Sequence, residues 1–269
     1  TLGACQRSQE ERNRILKVYN WADYIDEDVL AEFPEWYKEQ TGEDIEVIYQ
    51  TFDINEIMLT KIERGHEDFD VVCPSEYIIE RMMKKDMLQP INRDFGNTPD
   101  YIPNLAPYIQ EELNKMSFDE RKVTDYAVAY MWGTAGVLYN KGLVTEEEAL
   151  TCGSLWDPKF NNKILMKDSY RDCYGLSIIY ANTERLQKGE VTVEQLMNDN
   201  SKDAIVMAEE YLKMMKPNIA GWEADFGKEM MTKGKAWLNF TWSGDAVWAI
   251  EEAAAVDVEL DYVVPIEGS

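Results

Sequence analysis

The chain has 269 residues, 45% of them hydrophobic and 12% aromatic, with 51 acidic side chains against 27 basic ones and a formal net charge of −24. That length suits two domains of ordinary size rather than one small core, and the apolar share excludes disorder for most of the chain. The acidic excess argues against nucleic acid and anionic membrane as partners and favours cations by long-range steering, although solubility alone accounts for most of the acids.

The chain opens Thr1-Leu2-Gly3-Ala4-Cys5, followed by a polar stretch to residue 14 with no apolar periodicity. Residues 1–14 are therefore expected to be a flexible linker. Leu-Gly-Ala-Cys looks like the end of a bacterial lipoprotein signal, in which the cysteine becomes diacylated; the signal ahead of it is expected outside this sequence. An ordinary cysteine in a floppy tail is the other reading of Cys5. Cys73, Cys152 and Cys173 have no paired metal-ligand spacing, and His66 is the single histidine, so no zinc site and no full disulfide framework are expected.

Residues 15–20 read as a buried strand, and 26–40 as an amphipathic helix capped by Asp26, interrupted or kinked at Pro34 and stopped at Gly42. A strand at 46–51, a helix at 55–64 capped by Asn55, a short strand at 69–73 and a helix at 77–85 complete a βαβ series. This alternation predicts a mostly parallel sheet flanked by helices. Two apolar extended runs within 126–139, joined at Gly133-Thr134, mark the expected crossing into a second α/β lobe, with lobes at 15–132 and 133–264. In the second lobe the pattern predicts strands at 163–166, 237–241 and 262–264, with helices at 172–185, 193–216 and 244–254. The chain then reaches Ser269 without a terminal helix, and a fragment is the expectation, with 265–269 beginning a return crossing whose remainder is absent. No stretch approaches a transmembrane length.

Two segments share one chemical make-up. Asn20-Trp21-Ala22-Asp23-Tyr24 and Thr241-Trp242-Ser243-Gly244-Asp245 each place an aromatic face and a carboxylate where a strand ends. In open α/β sheets ligands bind beyond the strand carboxyl ends, so two such tips facing each other would form an anionic, aromatic-walled slot for an organic cation. A primary ammonium has three donors and a full charge, which call for carboxylates in a partly dry site. Methylene spacers call for apolar walls, and each well-placed ring adds about 0.5–2 kcal/mol of cation–π attraction.

The run from Leu16 through Asn20-Trp21-Ala22-Asp23-Tyr24, then Asp70-Val71-Val72-Cys73-Pro74-Ser75-Glu76-Tyr77, then Trp242-Ser243-Gly244-Asp245 and Val264-Pro265-Ile266-Glu267-Gly268, resembles the spermidine/putrescine-binding proteins of bacterial ABC transporters, in order and approximate spacing. The resemblance implies a two-lobe periplasmic-binding-protein fold that closes on a polyamine. It implies a periplasmic or cell-surface location, delivery to ABC permease subunits, no cofactor and no enzymatic activity. Trp21, Tyr24 and Tyr77 match rings of the aromatic box, and Asp23 an acidic position of the putrescine binders. Ser75 matches a loop-borne polar contact, and Asp172 stands at a family glutamate that takes an ammonium group. Trp242 matches a stacking tryptophan and Asp245 an aspartate of putrescine-selective members. Ser169 stands where spermidine-preferring members carry an acid, which leans the reading toward putrescine. Ala22 replaces a small hydroxyl residue, and further family contacts fall beyond Ser269.

Each of these residues also has a plain structural reading. Trp21, Tyr24 and Tyr77 could be core rings, Asp23 and Asp245 helix caps, Ser75 a turn residue, and Asp172 a partner of Arg171. Trp36, Trp132, Trp156, Trp222, Trp237 and Trp248 are read as packing. A glycosidase would also set acids beside aromatics, but no motif carries a distinctive carboxylate pair, and no Gly-x-Ser-x-Gly elbow supports a serine nucleophile. A ligand sensor of the same fold, or a binder of another organic cation, remains the alternative.

Overall fold

The structure, a computed structural model, describes residues 9–65, 67–96, 98–223 and 227–268; Cys5 and His66 lie outside these. The chain forms two compact units, Thr1–Trp132 and Gly133–Ser269. Both are α/β, with mixed and mostly parallel sheets flanked by helices.

The first unit begins with α1 (Gln9–Arg12) and β1 (Ile15–Trp21). It continues through α2 (Glu27–Thr41), β2 (Glu46–Phe52), α3 (Asn55–Gly65), β3 (Val71–Val72) and α4 (Glu76–Lys84). Its sheet has the order β2-β1-β3, and both pairings are parallel. The helix α2 starts as the sequence dictates: the Asp26 side chain accepts from the Asp28 N–H, and Gly42 closes the helix at φ 79°, a left-handed position that glycine takes without Cβ strain. Pro34 does not interrupt α2. The helix has no buried residue, so the carbonyl that proline leaves unbonded is not sealed away from water.

Asn55 corrects a second expectation. The first bond of α3 runs from the Met58 N–H to the Ile54 carbonyl at 3.1 Å, and the Asn55 side chain is spent elsewhere. The core of this unit is Tyr19, Phe52, Met58, Leu59, Ile78 and Met82. After α4 come α5 (Pro107–Lys115) and a two-stranded hairpin, β4 (Ser117–Phe118) and β5 (Arg121–Lys122). The apolar run at 127–132 forms no strand, because no neighbour pairs with it among the described residues. Its Trp132 is 66% exposed and meets the Tyr108 ring at 5.8 Å, so this ring packs at the surface and not in the core.

The second unit opens with β6 (Ala135–Asn140) and α6 (Glu146–Ala149), followed by β7 (Ile164–Lys167), α7 (Tyr170–Ala181) and α8 (Thr183–Gln187). Then come α9 (Val193–Met197), α10 (Lys202–Met215), β8 (Ile219–Glu223) and α11 (Gly227–Thr232). The unit ends with β9 (Leu238–Trp242), α12 (Ser243–Ala254) and β10 (Leu260–Val263). The sheet order is β10-β6-β9-β7-β8; β9, β7 and β8 run parallel, and β6 is antiparallel to both of its neighbours.

Period-two alternation builds this core. Val137, Tyr139, Ile164, Met166, Leu238 and Phe240 face the larger cluster, while Leu138 and Leu165 face Ala246, Ala249 and Ala253 of α12. The single helix expected over 193–216 is two, because Ser201 caps a new start by accepting from the Ala204 N–H. The helix expected at 172–185 begins earlier, capped by Ser169, and breaks at Asn182. Trp156 packs as expected, stacked on Tyr180 at 4.1 Å, whereas Trp222 and Trp248 are well exposed. No helix among the described residues is long and apolar enough to cross a membrane.

Candidate solute-binding site

In the first unit the sequence-derived residues gather at the carboxyl ends of two neighbouring parallel strands, β1 and β3. A short turn follows β1, and Asp23 adopts φ 61° within it, a left-handed conformation that aspartate tolerates better than most residues. The turn is pinned from several directions. The buried Asn20 accepts from the Trp21 N–H at 2.8 Å, and the Tyr24 carbonyl accepts from the Tyr130 hydroxyl at 2.6 Å. Trp21 is half-buried against Phe52, ring centroids 4.6 Å apart, while Asp23 is exposed. Trp21 thus packs with one part and presents another, and Asp23 caps no helix.

After β3, the Asn55 amide ties this tip together. Its Nδ2 donates to Ser75 Oγ and to the Tyr77 hydroxyl, both at 3.0 Å, and its Oδ1 accepts from the Ser75 N–H at 3.2 Å. The Tyr77 hydroxyl in turn donates to Glu56 at 3.1 Å. Ser75 precedes α4 without a side-chain cap, because its hydroxyl is engaged by Asn55. Asn55 therefore positions both Ser75 and Tyr77, a role the capping pattern concealed.

In the second unit, Asp172, Trp242 and Asp245 come together beyond the carboxyl ends of β7 and β9. The Trp242 indole N–H donates to Asp172 Oδ2 at 3.0 Å. Ser169 Oγ accepts from the Asp172 N–H at 3.3 Å and holds the first turn of α7. Burial pushes the Asp172 carboxyl above its ordinary range, against the pull of the Ser169 and Trp242 bonds and of the Lys167 charge. The Arg171 charge pulls the same way, and its guanidinium donates to the Met197 carbonyl and to Asn198.

The residue the sequence reading missed is Lys167, the last of β7. Its ammonium lies 2.8 Å from Asp245 Oδ2 and 4.1 Å from the centroid of the Trp242 ring. The side chains of this pair are only 4% and 12% exposed. Asp245 is not a cap; Trp242 stands at the N-cap of α12 without a side-chain capping bond, and the Asp245 carboxylate is used on Lys167. On the far side of Lys167 in the sheet register lies Glu223, the last residue of β8. Burial also raises the Glu223 carboxyl, although it accepts from the Gly227 N–H at 3.1 Å and from Asn239 at 3.3 Å. Gly227 is required there, since a Cβ would come within 2.6 Å of the Glu223 carboxyl carbon. The one available signal for Lys167 was a charged residue closing an otherwise apolar strand, Ile164-Leu165-Met166-Lys167.

Chemically, each unit offers aromatic faces and carboxylates at strand carboxyl ends. The second unit has already placed one alkylammonium on them.

Comparison with known proteins shows the family. Residues 35–269 match the profile of bacterial extracellular solute-binding proteins. The spermidine/putrescine-binding periplasmic protein of Salmonella typhimurium is 28% identical over 257 residues, covering 95% of this chain and 65% of that protein. A putrescine-binding periplasmic protein of Escherichia coli is also 28% identical, over 95% of this chain and 66% of its own length. The chain thus spans about two thirds or slightly less of these relatives. Among solved structures, a spermidine/putrescine ABC transporter substrate-binding protein from Streptococcus pneumoniae is 32% identical with a TM-score of 0.65, covering 94% of this chain and 69% of that one. A lipoprotein of Treponema pallidum shares the fold at 20% identity with a TM-score of 0.72, covering 94% of this chain and 71% of that one. The chain belongs to the bacterial extracellular solute-binding proteins and, among them, to the spermidine/putrescine ABC-transporter substrate-binding family, a family of binding proteins and not of enzymes.

Proposed function

We propose that this protein captures a polyamine, putrescine or spermidine, outside the cytoplasm and delivers it to an ABC permease. Trp21, Asp23, Tyr24, Ser75 and Tyr77 in the first unit and Asp172 and Trp242 in the second contribute the contacts, and Asp245 holds the Lys167 ammonium beside them. The observation that carries this reading is the cradle of Trp242 and Asp245, which holds a primary alkylammonium, that of Lys167, by ring face and carboxylate together. The relatives named for spermidine and putrescine support the same ligand class. Ligand would act by population shift, favouring a closed form over an open one. Cys5 would carry a lipid anchor, the only membrane contact in this proposal.

A melt of the 269-residue chain with millimolar putrescine, spermidine or arginine tests it, since a ligand of the native state raises the midpoint by mass action. The expected result is a shift with a polyamine and none with arginine. A cooperative melt unmoved by either polyamine refutes the proposal.

A further inference from the structure

The ammonium of Lys167 occupies a position that the rest of the second unit is built to offer a cation. It is buried, seated over the Trp242 face, bonded to Asp245, and flanked in register by Glu223. The same tryptophan gives its indole N–H to Asp172, so one ring joins two carboxylates, of which Asp245 is the one ion-paired to a lysine among the described residues. The lysine stem reaches the cradle from the carboxyl end of β7, within the same unit.

We propose that Lys167 is a tethered occupant of the Trp242–Asp245 cradle and the specificity-determining residue of this site: it excludes a solute ammonium from Asp245 and directs it to Asp172. This rests on the reading of the protein as an amine binder. The physical reason is competition at a single place. Two ammonium groups cannot share Asp245 and one ring face without like-charge repulsion, and the tethered one is present at a far higher effective concentration than any free solute. The second unit therefore offers a solute one cation subsite where its acids alone would offer two.

The test is chemical rescue in the full chain. Truncation by Lys167→Ala removes the equivalent of n-propylammonium from the cradle. Millimolar propylammonium chloride should raise the Tm of Lys167→Ala by several degrees, or recover its cooperative melt if the variant alone is poorly folded. Propan-1-ol, of the same shape without the charge, should not, and the wild-type melt should not move with either. Lys167→Met fills the space of the lysine stem and should show no rescue, while its own putrescine affinity does not rise. In Lys167→Ala, putrescine should bind about tenfold or more tighter than in the wild type, and Lys167→Ala/Asp245→Asn should lose that gain.

Absence of propylammonium rescue, with wild-type putrescine binding intact, overturns the tethered-ammonium proposal and leaves the polyamine reading standing. Equal rescue by propanol, or rescue of Lys167→Met, also overturns it. Specific rescue in a chain whose wild type binds no polyamine upholds the cradle and overturns the polyamine reading instead.

Discussion

Removing both members of the Lys167–Asp245 pair should cost less than the sum of removing each alone, and the two single losses should be unequal. The pair is buried at 4% and 12% side-chain exposure with a 2.8 Å contact, so solvent screens it little. Lys167→Met leaves Asp245 without its ion-pair partner and takes the nearby positive charge from the buried carboxyls of Asp172 and Glu223, and a broken buried pair costs about 3–5 kcal/mol. Asp245→Asn is milder. Its amide oxygen can still accept from the ammonium, which keeps Glu223 and the Trp242 face as partners, so the cost falls to about 1.5–3 kcal/mol. The double variant Lys167→Met/Asp245→Asn should come out at least about 2 kcal/mol less destabilised than the sum of the singles. Urea unfolding followed by tryptophan fluorescence at pH 7 measures all four corners. Five of the eight tryptophans, at 156, 222, 237, 242 and 248, lie in the second unit and report its transition. Additive single costs, or an Asp245→Asn cost above that of Lys167→Met, would refute the reasoning.

Three further outcomes follow from the same geometry. Asn55→Ala unties Ser75 and Tyr77 from α3 and should destabilise the first unit by about 1–3 kcal/mol in the same urea assay, with Asn55→Asp recovering only part of it. Asp172 is raised by burial, so the folded state keeps a proton that the unfolded chain has released. Its contribution to stability therefore falls as pH rises from about 4 through the folded pKa, and Asp172→Asn should flatten that part of the stability–pH curve. The carboxylate form is also the one an ammonium needs, so amine affinity should fall as pH drops through the same value, with proton release on binding detectable by titration in two buffers of different ionisation heat. Cys173 is buried, its thiol pushed up to about 12, and native-state alkylation at pH 8 should be at least tenfold slower there than after unfolding in urea.

What was legible in the sequence was local. Asp26 and Gly42 bracket α2 because a cap and a left-handed stop are encoded by single residues, and the strands of both sheets other than β8 follow from short apolar runs. The illegible parts depend on distant partners or on unmarked turns. Lys167 meets an acid 78 residues away, and no local pattern tells a buried terminal lysine from a solvated one. Asn55 carries the residue type of a cap, yet its partners at 75 and 77 claim the side chain. The β4–β5 hairpin turns on Asp119 and Glu120, at φ 47° and 64°, where glycine or asparagine would have signalled it. Strand β8 was missed because Ile219-Ala220-Gly221-Trp222-Glu223 has a glycine at its centre and follows a proline. The residues Trp21, Asp23, Trp242 and Asp245 were reached by pattern and resemblance together and Asp172 by resemblance alone; the lysine among them was reached only from the packed structure.

The most direct test of the account is a calorimetric titration of putrescine into the wild-type chain and into Trp242→Ala. The ring touches both Asp172 and the Lys167 ammonium, and its loss should remove a cation–π wall and the indole bond at once. The account expects saturable 1:1 binding in the wild type, weakened tenfold or more in Trp242→Ala while the far-UV spectrum stays unchanged. No saturable heat in the wild type, or equal affinity in both proteins, would contradict it.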